Sequence, residues 1–155
     1  MSSLADDTRW LDATAQAELV ASGKVTPLEM VNAAIERVER FDGALNALTY
    51  RWFDAARQLA SSSELPEGPF RGVPYLLKDL YAAEAGKPLS NGSKAYKAAD
   101  YVSTEDSTLV ARYKASGLIS IGRSNSPEFG SVPVTEPEAW GPTRNPWDLS
   151  RTPGG

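Results

Sequence analysis

Two short apolar runs, Val73-Pro-Tyr-Leu-Leu-Lys-Asp-Leu80 and Leu118-Ile-Ser-Ile-Gly-Arg123, frame a stretch that ends in a helical pattern. Strand, helix, strand in that order is the signature of an α/β unit with a largely parallel sheet. The first run is bounded by turn residues, as a buried strand is, and Pro74 confines its start to an edge or entry position. Thr104 is placed to cap the helix, which the pattern carries through Lys114. Glu105 and Asp106 suit its positive end, and Gly117 is placed to stop it. Leu109, Val110 and Tyr113 are the expected core stripe.

Residues 1–63 read as helical. Asp12 is placed to cap a helix to Ser22, with Gly23 just past its end. A longer helix follows: Thr26 caps it, Pro27 takes the first helical position, and Glu29 completes a capping box. Leu28, Val31, Ile35, Val38 and Phe41 recur at helical spacing, Glu36, Arg37, Glu39 and Arg40 make the wet face, and Gly43 is the expected stop. Leu45 to Tyr50 reads as a short strand or extended connection. A third helix is expected from Trp52 to Ser62, buried through Trp52, Phe53, Ala56 and Leu59. Residues 70–123 then form the α/β core, with Ala82 to Ser103 rich in loops. Residues 124–155 are an irregular arm holding six of the eleven prolines. Irregular backbone of that length is usually functional or disordered, and the arm's aromatics favour a functional one.

Composition narrows the chemistry. A hydrophobic fraction of 41% with four Trp argues for a packed core, and a net charge of -4 argues against nucleic acid or an anionic membrane as partner. No run approaches the ~20 apolar residues of a membrane span. The first residues lack the basic start and apolar stretch of a signal peptide, and the absence of Cys fits a reducing cytosol, so a cytoplasmic protein is expected. With no His in the sequence, no Ser-His-Asp triad, Cys-His pair or His-ligated metal site can be assembled from it. Proton transfer near neutral pH then falls to a perturbed Lys, Asp, Glu or Tyr.

Lys78 is the leading candidate. It has apolar neighbours on both sides at the expected end of a buried strand, where desolvation would favour its neutral amine and make it a general base. The plainer reading is a strand-end Lys whose stem covers the core while its head reaches water or Asp79, itself a strand-end or turn residue. At the other end, Arg151-Thr-Pro-Gly-Gly155 lets the backbone turn sharply and approach a ligand, as glycines do where N–H groups cradle an anion. Gly154 and Gly155 are therefore candidates for a substrate or oxyanion region, and Asn125 is a third. Taken singly, Asn125 and Thr135 fit backbone capping at least as well. Trp140 and Trp147 read as packing anchors.

Gly72-Val-Pro-Tyr-Leu-Leu-Lys-Asp79 resembles the lysine motif of the amidase signature family of serine hydrolases. Asp106 to Asn125 resembles that family's next block, Phe129 and Thr135-Glu136 continue the pattern, and Gly141 to Gly155 resembles the lead-in to its glycine-rich signature. Val132-Pro-Val134 departs from it, since many members carry Gly-Ser-Ser there, and no site is assigned to those positions.

The resemblance implies an α/β fold of a mixed, largely parallel sheet flanked by helices, of which residues 1–155 are the N-terminal portion. It further implies a Ser–cis-Ser–Lys triad with Lys78 as the base. A bridging Ser is expected directly after Gly155 and a nucleophilic Ser farther on. The nucleophile would attack a linear or cyclic carboxamide to give an acyl-serine, with backbone N–H donors on the oxyanion worth ~2.7–4 kcal/mol each. No metal or organic cofactor is implied. The implied partners are a small amide substrate and the remainder of the amidase chain, and a homodimer is compatible. On this reading the 155 residues alone are inactive. Two rivals stay open: a non-catalytic binding subunit or degenerate homologue of the same fold, and an enzyme using Lys78 as a Schiff-base nucleophile.

Overall fold

The structure is a computed structural model that describes residues 3–155. Its helices are α1 (Leu4–Asp7), α2 (Ala13–Ala21), α3 (Pro27–Leu45), α4 (Phe53–Ala60), α5 (Lys94–Ala98) and α6 (Thr108–Ala115). Its strands are β1 (Leu48–Arg51), β2 (Pro74–Lys78) and β3 (Ile119–Ser124), in the order β1-β3-β2. β1 runs antiparallel to β3, pairing Tyr50 with Arg123 and Arg51 with Gly122. Along β2 and β3 the bonds climb together: Gly72 N donates to Gly117 O, Ile119 N to Val73 O and Asp79 N to Ser124 O, each at 2.9 Å. That pairing is parallel, so helices accompany a mixed sheet, in the α/β class. No described helix is long and apolar enough to cross a membrane.

The chain divides into two compact units. One holds the residues up to Arg40, Trp52–Leu76 and Ala111–Ile121; the other holds Phe41–Arg51, Leu77–Val110 and Gly122–Gly155. In the first, Val31, Ala34 and Ile35 of α3 pack with Ala56 and Ala60 of α4, Leu65, and Ile119 and Ile121 of β3. The N-terminus of α3 is built as its sequence dictates. Thr26 Oγ1 accepts from Glu29 N at 3.2 Å, and Glu29 Oε2 accepts from Thr26 N at 2.8 Å and from its hydroxyl at 2.7 Å. These bonds hold the Glu29 carboxyl below its ordinary value. Asp12 caps α2 through Ala15 N at 2.8 Å.

Several boundaries differ from those the sequence suggested. Helix α3 runs through Gly43 to Leu45, and the turn is made by Asn46 at φ 51. Asp42 stabilises that exit, its Oδ1 accepting from Ala47 N at 2.6 Å and Leu48 N at 3.2 Å. Phe41, expected in the core stripe, is exposed. Trp52 precedes α4 instead of entering it, because its backbone N–H goes to Ile121 O and its indole N–H to Ser120 O at 2.9 Å. Trp52, Phe53 and Leu59 are half-buried; Ala56 and Ala60 are the buried residues of that helix.

Helix α6 begins at Thr108, four residues after the expected cap. Asp106 is spent on Ala85 N at 2.8 Å, and Ser107 Oγ accepts from Val110 N at 3.4 Å. Val110 is fully buried but Leu109 is exposed, which narrows the stripe. The largest departure is β2. It alternates instead of being buried throughout: Leu77 is buried, and Leu76 and Lys78 are exposed.

Candidate active site

The second unit carries every candidate residue. Lys78 ends β2 with its side chain exposed, so the burial expected to desolvate its amine is not supplied by these residues. What the fold fixes is its main chain. Arg123 of β3, fully buried, donates from Nη1 to Lys78 O at 3.1 Å and from Nε to Pro88 O at 2.7 Å. On the other side, Asp79 N is held by Ser124 O. The Asp79 carboxylate is also fully buried and accepts from Ser90 N at 2.8 Å, from the Ser90 hydroxyl and from Gly92 N at 3.4 Å. A buried carboxylate is tolerated where hydrogen bonds replace its water, as they do here.

The network extends past Ser90. Its Oγ accepts from Trp140 Nε1 at 2.9 Å. The Trp140 ring meets Tyr50 edge-on at 4.9 Å between centroids, and the Lys97 ammonium lies 3.6 Å from its centroid. Lys97 also donates to Ala139 O at 2.6 Å, and Lys94 pairs with Glu138, so α5 anchors residues 138–140 of the arm. Burial, followed by the nearby Asp79 charge, holds the Tyr50 phenol above its ordinary value.

Gly154 and Gly155 lie in a segment the structure ties down. Gly154 has φ 110, and a Cβ on Gly155 would fall 2.5 Å from Val132 O, so a side chain there would not fit without a backbone shift. Gly154 O accepts from Thr135 Oγ1 at 2.7 Å, while Gly154 N donates to Thr152 Oγ1 at 3.3 Å. That N–H is used within the turn. Thr135 is a structural tie, as one of its readings had it.

Asn125 is buried, and its amide donates to Gly141 O at 3.2 Å and to Thr143 Oγ1 at 3.0 Å. With both of these contacts inside the arm, its amide braces the loop. Trp147 is 87% exposed and is no packing anchor; Trp140 is one. Among the described residues, no group of three or more His, Cys, Asp or Glu side chains could hold a metal ion.

Arg123, Ser90 and the full part played by Trp140 were missed from sequence. Arg123 left a signal: a guanidinium closing an apolar strand is rarely buried unless it finds partners. Ser90 left none, being one hydroxyl in a loop.

Residues 29–155 match the family described as Amidase. The 6-aminohexanoate-cyclic-dimer hydrolase of Paenarthrobacter ureafaciens is 45% identical over 146 residues, which take in 94% of this chain and 29% of that enzyme. A solved structure of 6-aminohexanoate cyclic dimer hydrolase complexed with substrate matches with a TM-score of 0.88, covering 94% of this chain and 30% of that one. A bacterial aryl acylamidase of the amidase signature family matches at 36% identity and a TM-score of 0.86, covering 94% and 31%. The chain thus spans less than a third of the length of these relatives. From the match across residues 29–155 and these relatives, the chain belongs to the amidase signature family.

Proposed function

We propose that this chain is the lysine-bearing part of an amidase that cleaves a small linear or cyclic carboxamide through an acyl-serine intermediate. Lys78 is the general base. Its neutral amine takes the proton of a bridging serine, which takes that of the nucleophilic serine as the latter's oxygen bonds to the amide carbon. The proton then passes to the leaving amine as the C–N bond breaks, and water releases the acid. Both serines belong to the family signature that follows the Gly154-Gly155 pair in longer members, so residues 1–155 alone are inactive in this reading. Gly154 and Gly155 shape the backbone that leads into the oxyanion donors, and Asn125 braces it.

The observation that carries the reading is the pinned main chain of Lys78: its carbonyl is held by Arg123, and the amide of the next residue is held by Ser124. A base whose following peptide unit is held at both its carbonyl and its N–H, with its side chain accessible, can meet a hydroxyl delivered to it. The 45% identity to a 6-aminohexanoate-cyclic-dimer hydrolase favours an amide of similar size.

The test is amide hydrolysis by the full-length gene product, with 6-aminohexanoate cyclic dimer and a series of linear amides. Lys78→Ala should lower kcat/KM by about 10³-fold or more, the loss expected when a positioned base is removed. Equal rates would refute the role of Lys78. Turnover by residues 1–155 alone at the full-length rate would refute the assignment of the nucleophile to a later segment.

A further inference from the structure

We infer that Asp79, Ser90 and Trp140 form a positioning chain that sets Lys78 against the arm leading to Gly154 and Gly155. The inference rests on the reading of Lys78 as the base. Trp140 Nε1 donates to Ser90 Oγ at 2.9 Å, and the Ser90 hydroxyl in turn donates to the Asp79 carboxylate, one residue from Lys78. Asp79 and Ser90 are both fully buried, so neither bond has water as a ready substitute.

The two ends of the chain are fixed to different elements. At one end Asp79 continues β2 and its N–H enters the parallel ladder at Ser124. At the other, Trp140 is gripped by Tyr50 of β1 and by Lys97 of α5, and its neighbour Ala139 accepts from the same lysine. The hydroxyl between them has one proton and donates it to the carboxylate, which leaves its oxygen to accept from the indole. Its direction is therefore set by chemistry at both ends, and a shift of the arm is felt at the strand that carries Lys78.

These are positioning residues, since none of them touches reacting atoms. A displacement of 1 Å in a catalytic constellation can cost about 10²-fold in rate, and losing one link of three should cost about tenfold.

A fluorophosphonate probe tests this without a known substrate. The activated serine oxygen bonds to phosphorus, fluoride leaves, and the serine proton passes to the base, so the labelling rate reports how well the base is placed. The final extent of labelling reports the fraction of protein with an assembled site. Lys78→Ala, Ser90→Ala and Trp140→Phe are compared with the parent in the full-length gene product.

Ser90→Ala and Trp140→Phe should each slow labelling about tenfold while labelling still reaches the parent's extent, and the double variant should be no slower than about 20-fold because one chain is broken twice. A parental rate in Ser90→Ala, whether the extent is full or reduced, overturns the inference, because a merely structural role removes sites without slowing those that remain. If Ser90→Ala leaves no labelled protein, Trp140→Phe decides by the same two readouts. Should Lys78→Ala label at the parental rate, the base assignment falls first; should it fail to label while Ser90→Ala labels normally, only the positioning chain falls.

Discussion

Replacing Asp79 with Asn is the sharpest probe of the buried network, because it keeps the shape and removes the charge. Asp79 accepts from Ser90 N, the Ser90 hydroxyl and Gly92 N. An amide can offer its oxygen to Ser90 N, but its NH₂ then faces Ser90 Oγ. That oxygen already accepts from Trp140 Nε1, so the hydroxyl proton loses its carboxylate acceptor in a fully buried site. A hydrogen bond to a charged group contributes about 1.5–3 kcal/mol, and weakening the remaining bonds brings the loss to about 2–4 kcal/mol.

Native-state hydrogen exchange on the full-length gene product reads this loss where it occurs. At about 1.4 kcal/mol per factor of ten, the amides of Ser90 and Gly92 should exchange roughly 30- to 700-fold faster in Asp79→Asn. The α3 amides near Val31 and Ile35, in the other unit, should keep their protection. Protection at Ser90 and Gly92 within threefold of the parent would refute the claim that the carboxylate holds this loop.

Three further outcomes follow from particular contacts. Val110→Ala removes two methyl groups from a fully buried site and should cost about 1.5–2.5 kcal/mol in urea unfolding, whereas Leu109→Ala, next to it and exposed, should stay within about 0.5 kcal/mol; similar costs would contradict the narrowed stripe of α6. Gly92→Ala should destabilise the loop by about 1–3 kcal/mol in the same assay, since φ is +67 and the new Cβ would lie 2.7 Å from Ser126 O; an unchanged midpoint would show that the backbone relaxes there. Glu29 has a folded carboxyl value below its ordinary 4.5, so its capping contribution to α3 is full above that value and fades as pH falls through the lower folded one. Thr26 amide protection should therefore drop in acid, and Glu29→Gln should remove that dependence; an equal drop in the variant would assign it to another group.

Local chemistry was legible where one residue type had one use. The Thr26-to-Glu29 box and the Asp12 cap form as read, because each side chain meets backbone N–H groups three residues away, whatever the rest of the chain does. Elsewhere the same residue types had competing partners. Thr104, Glu105 and Asp106 have cap chemistry, but Asp106 binds Ala85 N, 21 residues back, and the start of α6 passes to Ser107. Gly43 could have stopped α3, yet the carboxylate of Asp42 wraps the chain two residues later, and Asn46 takes the left-handed turn. Such choices depend on what lies across the fold, and spacing along the chain does not record it. Lys78 and the arm were found through a resemblance in several ordered blocks; Asp79 and Arg123 lie in the same blocks, but their burial follows from partners across the fold, Ser90 and Gly92 for one and the Lys78 and Pro88 carbonyls for the other.

The exposure of Lys78 and the burial of Asp79 are one geometric fact. Successive residues of an extended chain point to opposite sides, so a segment that buries Leu77 and Asp79 turns Leu76 and Lys78 the other way. Burying Lys78 by shifting the register one residue would expose Leu77 and strip Asp79 of its three donors. Along the sequence one apolar run has both to desolvate the amine and to hold the strand; the fold divides these tasks. Asp79 and Arg123 take the low-dielectric side, where hydrogen bonds are strongest and position is best defined, and leave the amine on the open side, where the proposed bridging serine would approach. If Lys78 is the base proposed above, desolvation of its amine comes from groups beyond β2, whereas the peptide unit that follows it is already held by Arg123 and Ser124.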